Sequence, residues 1–249
     1  MKKNDIIPVW QSRAEPILHS EGLENLNKSR VLIFGLGGVG GACLEAIARA
    51  GIGEIAVVDP DTFSPSNLNR QILATRETIG REKATVARER VLAINPGCTV
   101  TALCAAYSPE NANAFDLAYY DYVIDAVDDV RAKTELAVRC TEANIPLISC
   151  MGTGNKTDPT AFYITDISKT SGDPLARAVR IELRKRGINH LKVCISREKP
   201  AVPGLTDESG RRIPASVSFV PPVAGYVMAG EVIRTLAGLN TASDKEKTI

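Results

Sequence analysis

Gly35-Leu-Gly37-Gly38-Val-Gly40 lies between a short apolar run, Val31 to Phe34, and a stretch of small and apolar residues, Val39 to Ala50. The spacing is G-x-G-x-x-G. Gly35 permits the tight turn, Gly37 lets the backbone approach phosphate, and Gly40 allows close helix packing. A helix starting here presents unpaired N–H groups and a partial positive charge to an anion. Asp59 ends the next apolar run, where a carboxylate can accept ribose hydroxyls. These residues predict a nucleotide site and suit a nicotinamide dinucleotide as well as a triphosphate. Beyond them come Asp61, Asn67, Arg70, Gln71 and Lys83. A triphosphate needs cations if a carboxylate is to attack its α-phosphorus. Arg70 can fork onto phosphate oxygens, and Lys83 can supply a point charge. Both residue types also occur as solvated surface cations, so the residues alone leave the two readings level.

The elements that must carry these groups follow from periodicity. Val31–Phe34 and Ile55–Val58 read as strands buried on both faces, with a helix over 39–50 stopped by Gly51 and Gly53. Lys83 to Ile94 reads as a helix ended by Asn95-Pro96-Gly97. Strands are expected at 99–105, 122–124 and 146–149, with a helix over 131–143 and an edge strand at 161–165. A charged amphipathic helix is expected at 177–186, and a mobile surface loop at 199–212. Alternating strands and helices imply an α/β, Rossmann-like, mostly parallel sheet flanked by helices. The expected organisation is one adenylating domain, with a nucleotide-binding core at 10–165 and a basic C-terminal extension at 166–249.

Composition narrows the class. Of 249 residues, 44% are hydrophobic and 24% charged, which excludes a wholly disordered chain or a disulfide-dense miniprotein. Thirty basic and 29 acidic residues leave a net charge of +1, so bulk charge does not grip nucleic acid here. Met1 to Val9 lacks the apolar core of a secretory signal. Val217 to Leu239 is apolar but contains Pro221, Pro222, Glu231 and Arg234, so it reads as a buried loop and helix rather than a membrane span. Six scattered cysteines without a C-x-x-C pair argue against structural zinc and for a reducing cytoplasm.

Gly35–Gly40, Val58-Asp59-Pro-Asp61, Asn67-Leu-Asn-Arg70-Gln71, Gly80-x-x-Lys83 and Asp125-Ala-Val-Asp128 together resemble the ubiquitin-activating-enzyme-like superfamily of adenylating enzymes. The likeness covers about residues 10 to 165. Gly152-Thr-Gly154, Asp158-Pro159-Thr160, Thr165-Asp166 and Asp173-Pro174-Leu175 make the chain most similar, within that superfamily, to the tRNA threonylcarbamoyladenosine dehydratases. The resemblance implies ATP and Mg²⁺ as cofactors, with a monovalent cation as a further candidate. It implies that Gly37 and Gly38 line the phosphate turn, Asp59 binds ribose, and Asn67, Arg70 and Lys83 contact phosphates. Asp128 would assist Mg²⁺ and the reacting phosphate; its other reading is a cap for the helix beginning near Val130. Arg13 resembles an arginine that reaches the partner subunit's ATP in a homodimer, and an exposed arginine is the alternative.

The implied reaction is ATP-dependent adenylation of the threonylcarbamoyl carboxylate on tRNA, followed by ring closure. The alternative is adenylation of a ubiquitin-like sulfur carrier's C-terminus, with a sulfur-transfer protein as a further candidate partner. Charge placement favours tRNA. From Ile167 to Arg212 there are 11 basic and 5 acidic residues, a local +6, which leaves −5 for the remainder. A solvated helix face with internal ion pairs is the competing account. Cys194, with Lys192 and Arg197 nearby, is the candidate acyl acceptor if a thioester forms; a small buried hydrophobe is its plainer role.

Overall fold

The computed structural model describes residues 8–201, 205–206 and 212–239. Seven strands form one sheet: β1 (Arg30–Phe34), β2 (Glu54–Val58), β3 (Thr99–Leu103), β4 (Tyr122–Asp125), β5 (Leu147–Cys150), β6 (Phe162–Asp166) and β7 (Lys192–Ser196). Their order is β3-β2-β1-β4-β5-β7-β6. All neighbours are parallel except β6, which closes one edge antiparallel to β7. The helices are α1 (Glu15–Lys28), α2 (Gly38–Ala50), α3 (Lys83–Ile94), α4 (Val130–Glu142), α5 (Pro174–Lys185) and α6 (Val220–Leu236).

Alternation along the strands builds two cores. Val31, Ile33, Ile55 and Val57 pack with Leu44 and Ile47 of α2 and Met228 of α6. Leu32, Phe34, Ala56 and Val58 point the other way, toward Leu136 of α4 and Val179 and Leu183 of α5. Period-two alternation in a strand covered on both faces requires this division. The expected buried strands, the 83–94 helix and the edge strand all form, with bounds within two residues of expectation.

Three expectations change. The charged helix begins at Pro174, three residues before the expected start, because Asp173 caps it by accepting the Ala176 N–H at 2.9 Å and Pro174 suits its first turn. The strand expected to reach residue 105 ends at Leu103. The loop expected over 199–212 includes a short antiparallel ribbon, β8 (Leu205–Thr206) with β9 (Arg212–Ile213); residues 202–204 and 207–211 lie outside the described residues. The stretch 217–239 contains α6, packed against α2, and among the described residues no helix is long and apolar enough to cross a membrane.

Candidate active site

A cavity of about 470 Å³ opens at the C-terminal edge of β1, β2 and β4, where crossover topology leaves a crevice in a parallel sheet. Its size suits a small-molecule site. The glycine turn forms the floor. Gly35 has φ +86°, and a Cβ there would meet the Ala126 carbonyl oxygen at 2.7 Å; one on Gly40 would meet the Gly35 oxygen at 1.8 Å. Gly37 and Gly38 line the cavity itself, and Gly37 caps α2 without a side-chain bond, leaving the first-turn N–H groups for an anion.

Asp59 is buried at the end of β2, accepting the Leu36 N–H at 2.6 Å and the Asp61 N–H at 2.9 Å. Lys83, only 5% exposed, lies 2.8 Å from Asp61 and 3.8 Å from Asp59. Arg70 donates to the Ser66 carbonyl and to Asn69 Oδ1, and Asn67 Oδ1 accepts the Ser64 N–H. These residues share the cavity with Asp128. The cap of α4 is Asp129, which accepts the Ala132 N–H at 2.8 Å. Asp128 is exposed to the cavity and has no hydrogen bond or ion pair among the described residues.

One side of the cavity is apolar. Ala105, Ala106, Tyr107, Phe34 and Ala132 line a recess in which the Phe34 and Tyr107 rings meet edge-on at 4.8 Å. A flat heteroaromatic ring fits such a surface. Sequence reasoning passed over this recess, together with Thr153 and Pro221 in the lining. Thr153 had a signal, since it follows a strand on the ligand side of the sheet. Gln71 also lines the cavity; it is 6% exposed, and its Oε1 is buried without a hydrogen-bond partner among the described residues.

Two candidates lie elsewhere. Arg13 follows the turn Val9–Gln11, is exposed, and stands outside the cavity of its own chain. Cys194 is wholly buried in β7, where the neighbouring Cys150 thiol and burial push its thiol pKa well up. The cations expected to activate it are engaged: Lys192 pairs with Glu231 at 2.5 Å, and Arg197 covers the Tyr163 ring. Of the two readings of Cys194, the small buried hydrophobe therefore holds, and the nucleophile does not.

The chain is similar to several known proteins. A tRNA threonylcarbamoyladenosine dehydratase of Bacillus subtilis is 44% identical over 237 residues, covering 90% of this chain and 93% of that protein. A molybdopterin-synthase adenylyltransferase of Escherichia coli is 36% identical over 159 residues, 64% of this chain and 61% of that protein. The solved structure of the E. coli tRNA N6-threonylcarbamoyladenosine dehydratase in complex with ATP superposes with a TM-score of 0.85 at 32% identity, covering 94% of this chain and 97% of that one. The model of the ThiF family matches residues 11–248, and the chain belongs to that family.

Proposed function

We infer that the protein is an ATP-dependent tRNA threonylcarbamoyladenosine dehydratase that works by carboxylate adenylation. What carries the reading is the unpaired Asp128 carboxylate in one cavity with the glycine turn, Arg70 and Lys83. The 44% identity to a dehydratase over nearly the whole chain supports the substrate.

The adenine occupies the Ala105–Tyr107 recess, Asp59 takes the ribose, and the phosphates lie over Gly37 and Gly38. Arg70, Asn67 and Lys83 neutralise charge that builds on the phosphates as pyrophosphate leaves. Asp128 fits Mg²⁺, which binds through one or two carboxylates plus phosphate oxygens rather than in an all-protein cage. Among the described residues no group of three or more His, Cys, Asp or Glu could hold a metal, in keeping with that mode. When bound, Mg²⁺ supplies charge neutralisation.

A carboxylate oxygen of the threonylcarbamoyl group forms a bond to the α-phosphorus, and the bond to pyrophosphate breaks. The carbamoyl group then attacks the activated carbonyl, loses a proton and expels AMP. The nucleoside has lost one water, and ATP has become AMP and pyrophosphate. Ring closure within one side chain needs no enzyme nucleophile, which agrees with a buried Cys194.

Several cations of the C-terminal part are spent on ion pairs, Lys185 with Glu182 and Arg186 with Glu135. Arg177 and Arg184 on α5, with Lys169 and Lys199, are exposed and have no acidic partner among the described residues. They suit tRNA phosphates. Arg13 suits a homodimer in which it reaches the second copy's nucleotide. Unbridged cysteines and a tRNA substrate fit a reducing cytoplasm.

The test is incubation with ATP and threonylcarbamoylated tRNA. The expected result is stoichiometric AMP, pyrophosphate and a nucleoside lighter by one water in mass spectra of the tRNA digest. No AMP in that mixture rejects the reading. Adenylation of a carrier protein instead of tRNA would install the alternative.

A further inference from the structure

The β5 side of the cavity carries none of the residues assigned above to the nucleotide. In the sheet, β1 and β4 separate it from β2, whose end and following segment carry Asp59, Arg70 and Lys83. After β5 the chain runs Met151-Gly152-Thr153-Gly154-Asn155, and Thr153 lines the cavity. Among the described residues its hydroxyl makes no hydrogen bond, and neither its N–H nor that of Gly154 has an acceptor.

The flanks of this segment are fixed. Lys156, 3% exposed, donates to the Gly152 carbonyl oxygen and lies 3.0 Å from Asp173 Oδ2. Asp173 Oδ1 accepts the Gly152 N–H at 3.4 Å. On the other side, the Asn155 N–H donates to the Ala215 carbonyl at 2.8 Å, and Asn155 Oδ1 accepts the Ala215 N–H at 2.8 Å. The Asn155 carbonyl accepts the Ala201 N–H at 2.9 Å. Between two anchored ends, the Thr153 hydroxyl is held at the cavity wall without an acceptor among the described residues, with the Thr153 and Gly154 N–H groups beside it in the chain. Preorganised donors of this kind are complementary to an anion.

We propose that Thr153 is a substrate-binding residue: its hydroxyl, with the neighbouring N–H groups, receives the carboxylate of the acid to be activated. One carboxylate oxygen accepts from these donors while the other forms the bond to the α-phosphorus as the bond to pyrophosphate breaks. No proton moves in that step. The proposal rests on the adenylation reading and adds the place of the acid. Lys156 is then a positioning residue, holding the segment from beneath through Asp173.

The test compares Thr153→Val, which keeps shape and loses the hydroxyl, with Thr153→Ser, which restores it. Three quantities are measured on the full chain: ATP affinity, inhibition by tRNA lacking the threonylcarbamoyl group, and kcat/KM for AMP formation with threonylcarbamoylated tRNA. In Thr153→Val the first two stay within about twofold, while kcat/KM falls at least about tenfold, the effect of losing a hydrogen bond to a charged group. Thr153→Ser recovers most of it. Unchanged kcat/KM in Thr153→Val overturns the proposal, and so does a parallel loss of ATP affinity, which would give the hydroxyl to the nucleotide. If the wild-type chain makes no AMP with this tRNA, the adenylation reading itself has failed, a result distinct from either.

Discussion

Besides Lys83 and Asp59 within it, two buried lysine–aspartate pairs flank the cavity, and they are built differently. Lys133 of α4 and Asp125 of β4 are both 0% exposed, with Nζ 3.0 Å from Oδ2. The same oxygen accepts from Ser149 Oγ at 2.5 Å, and Oδ1 accepts the Val127 N–H at 3.1 Å. This pair ties a helix to two strands and secures the turn that leads to Asp128. Lys156 and Asp173 instead tie a loop to the cap of α5, and Asp173 holds the N–H groups of Ala176 and Gly152 besides. One wall of the cavity is thus fixed by the sheet itself, and the other by a latch whose carboxylate also caps a helix. Position in the fold, not the type of pair, sets how much each lysine matters.

Substituting the lysines separates the two. Lys133→Met leaves the Asp125 carboxylate in the core without its cation, and a loss of about 3–5 kcal/mol is expected in urea unfolding. Lys156→Met leaves Asp173 at the N-terminus of α5, where the helix end still stabilises its charge, so about 1–3 kcal/mol is expected, with ATP affinity kept and KM for the modified tRNA raised. Equal losses in the two variants would break the contrast. A smaller effect sharpens it on the Asp128 side. Asp129→Ala removes the α4 cap and costs about 1 kcal/mol, with AMP formation retained. Asp128→Asn changes stability by less than about 0.5 kcal/mol, yet AMP formation drops at least about a hundredfold. The smallest structural effect belongs to the thiols. In the native protein, alkylation followed by peptide mass spectrometry should modify exposed Cys104 and leave Cys43 and Cys194, whose thiols burial helps to push up.

Much of the β1–α2–β2 half was legible because its signals are local. The apolar runs, the glycine spacing and the acid at the end of β2 each report on a few residues in sequence. The C-terminal half depends on contacts the sequence does not display. Lys192-Val-Cys-Ile-Ser196 is short and set among charges, so β7 went unread; its Val193 and Ile195, in one core, and Cys194, in the other, are apolar toward both faces. The start of α5 had a readable signal, Asp173 followed by Pro174, which was used as a family mark and not as a helix start. Both a site role and a helix cap were expected of Asp128; the cap falls instead to its neighbour Asp129, because adjacent carboxylates differ only in register, which local pattern leaves open. The charge surplus between Ile167 and Arg212 was visible as a count. Which cations are already paired was decided by acids as distant in sequence as Glu135 and Glu231.

The insertion of β7 between β5 and β6 also bears on how the chain leaves the ribosome. β6 is made first, yet its only neighbour in the sheet is a strand that begins 26 positions later, at Lys192. At ordinary synthesis speed that is an interval of about 1–5 s. Throughout it, β5 and β6 each present backbone edges that any extended segment can zip onto. Nascent-chain protection therefore has most to guard in this interval, after Asp166 has emerged and before Ser196 follows.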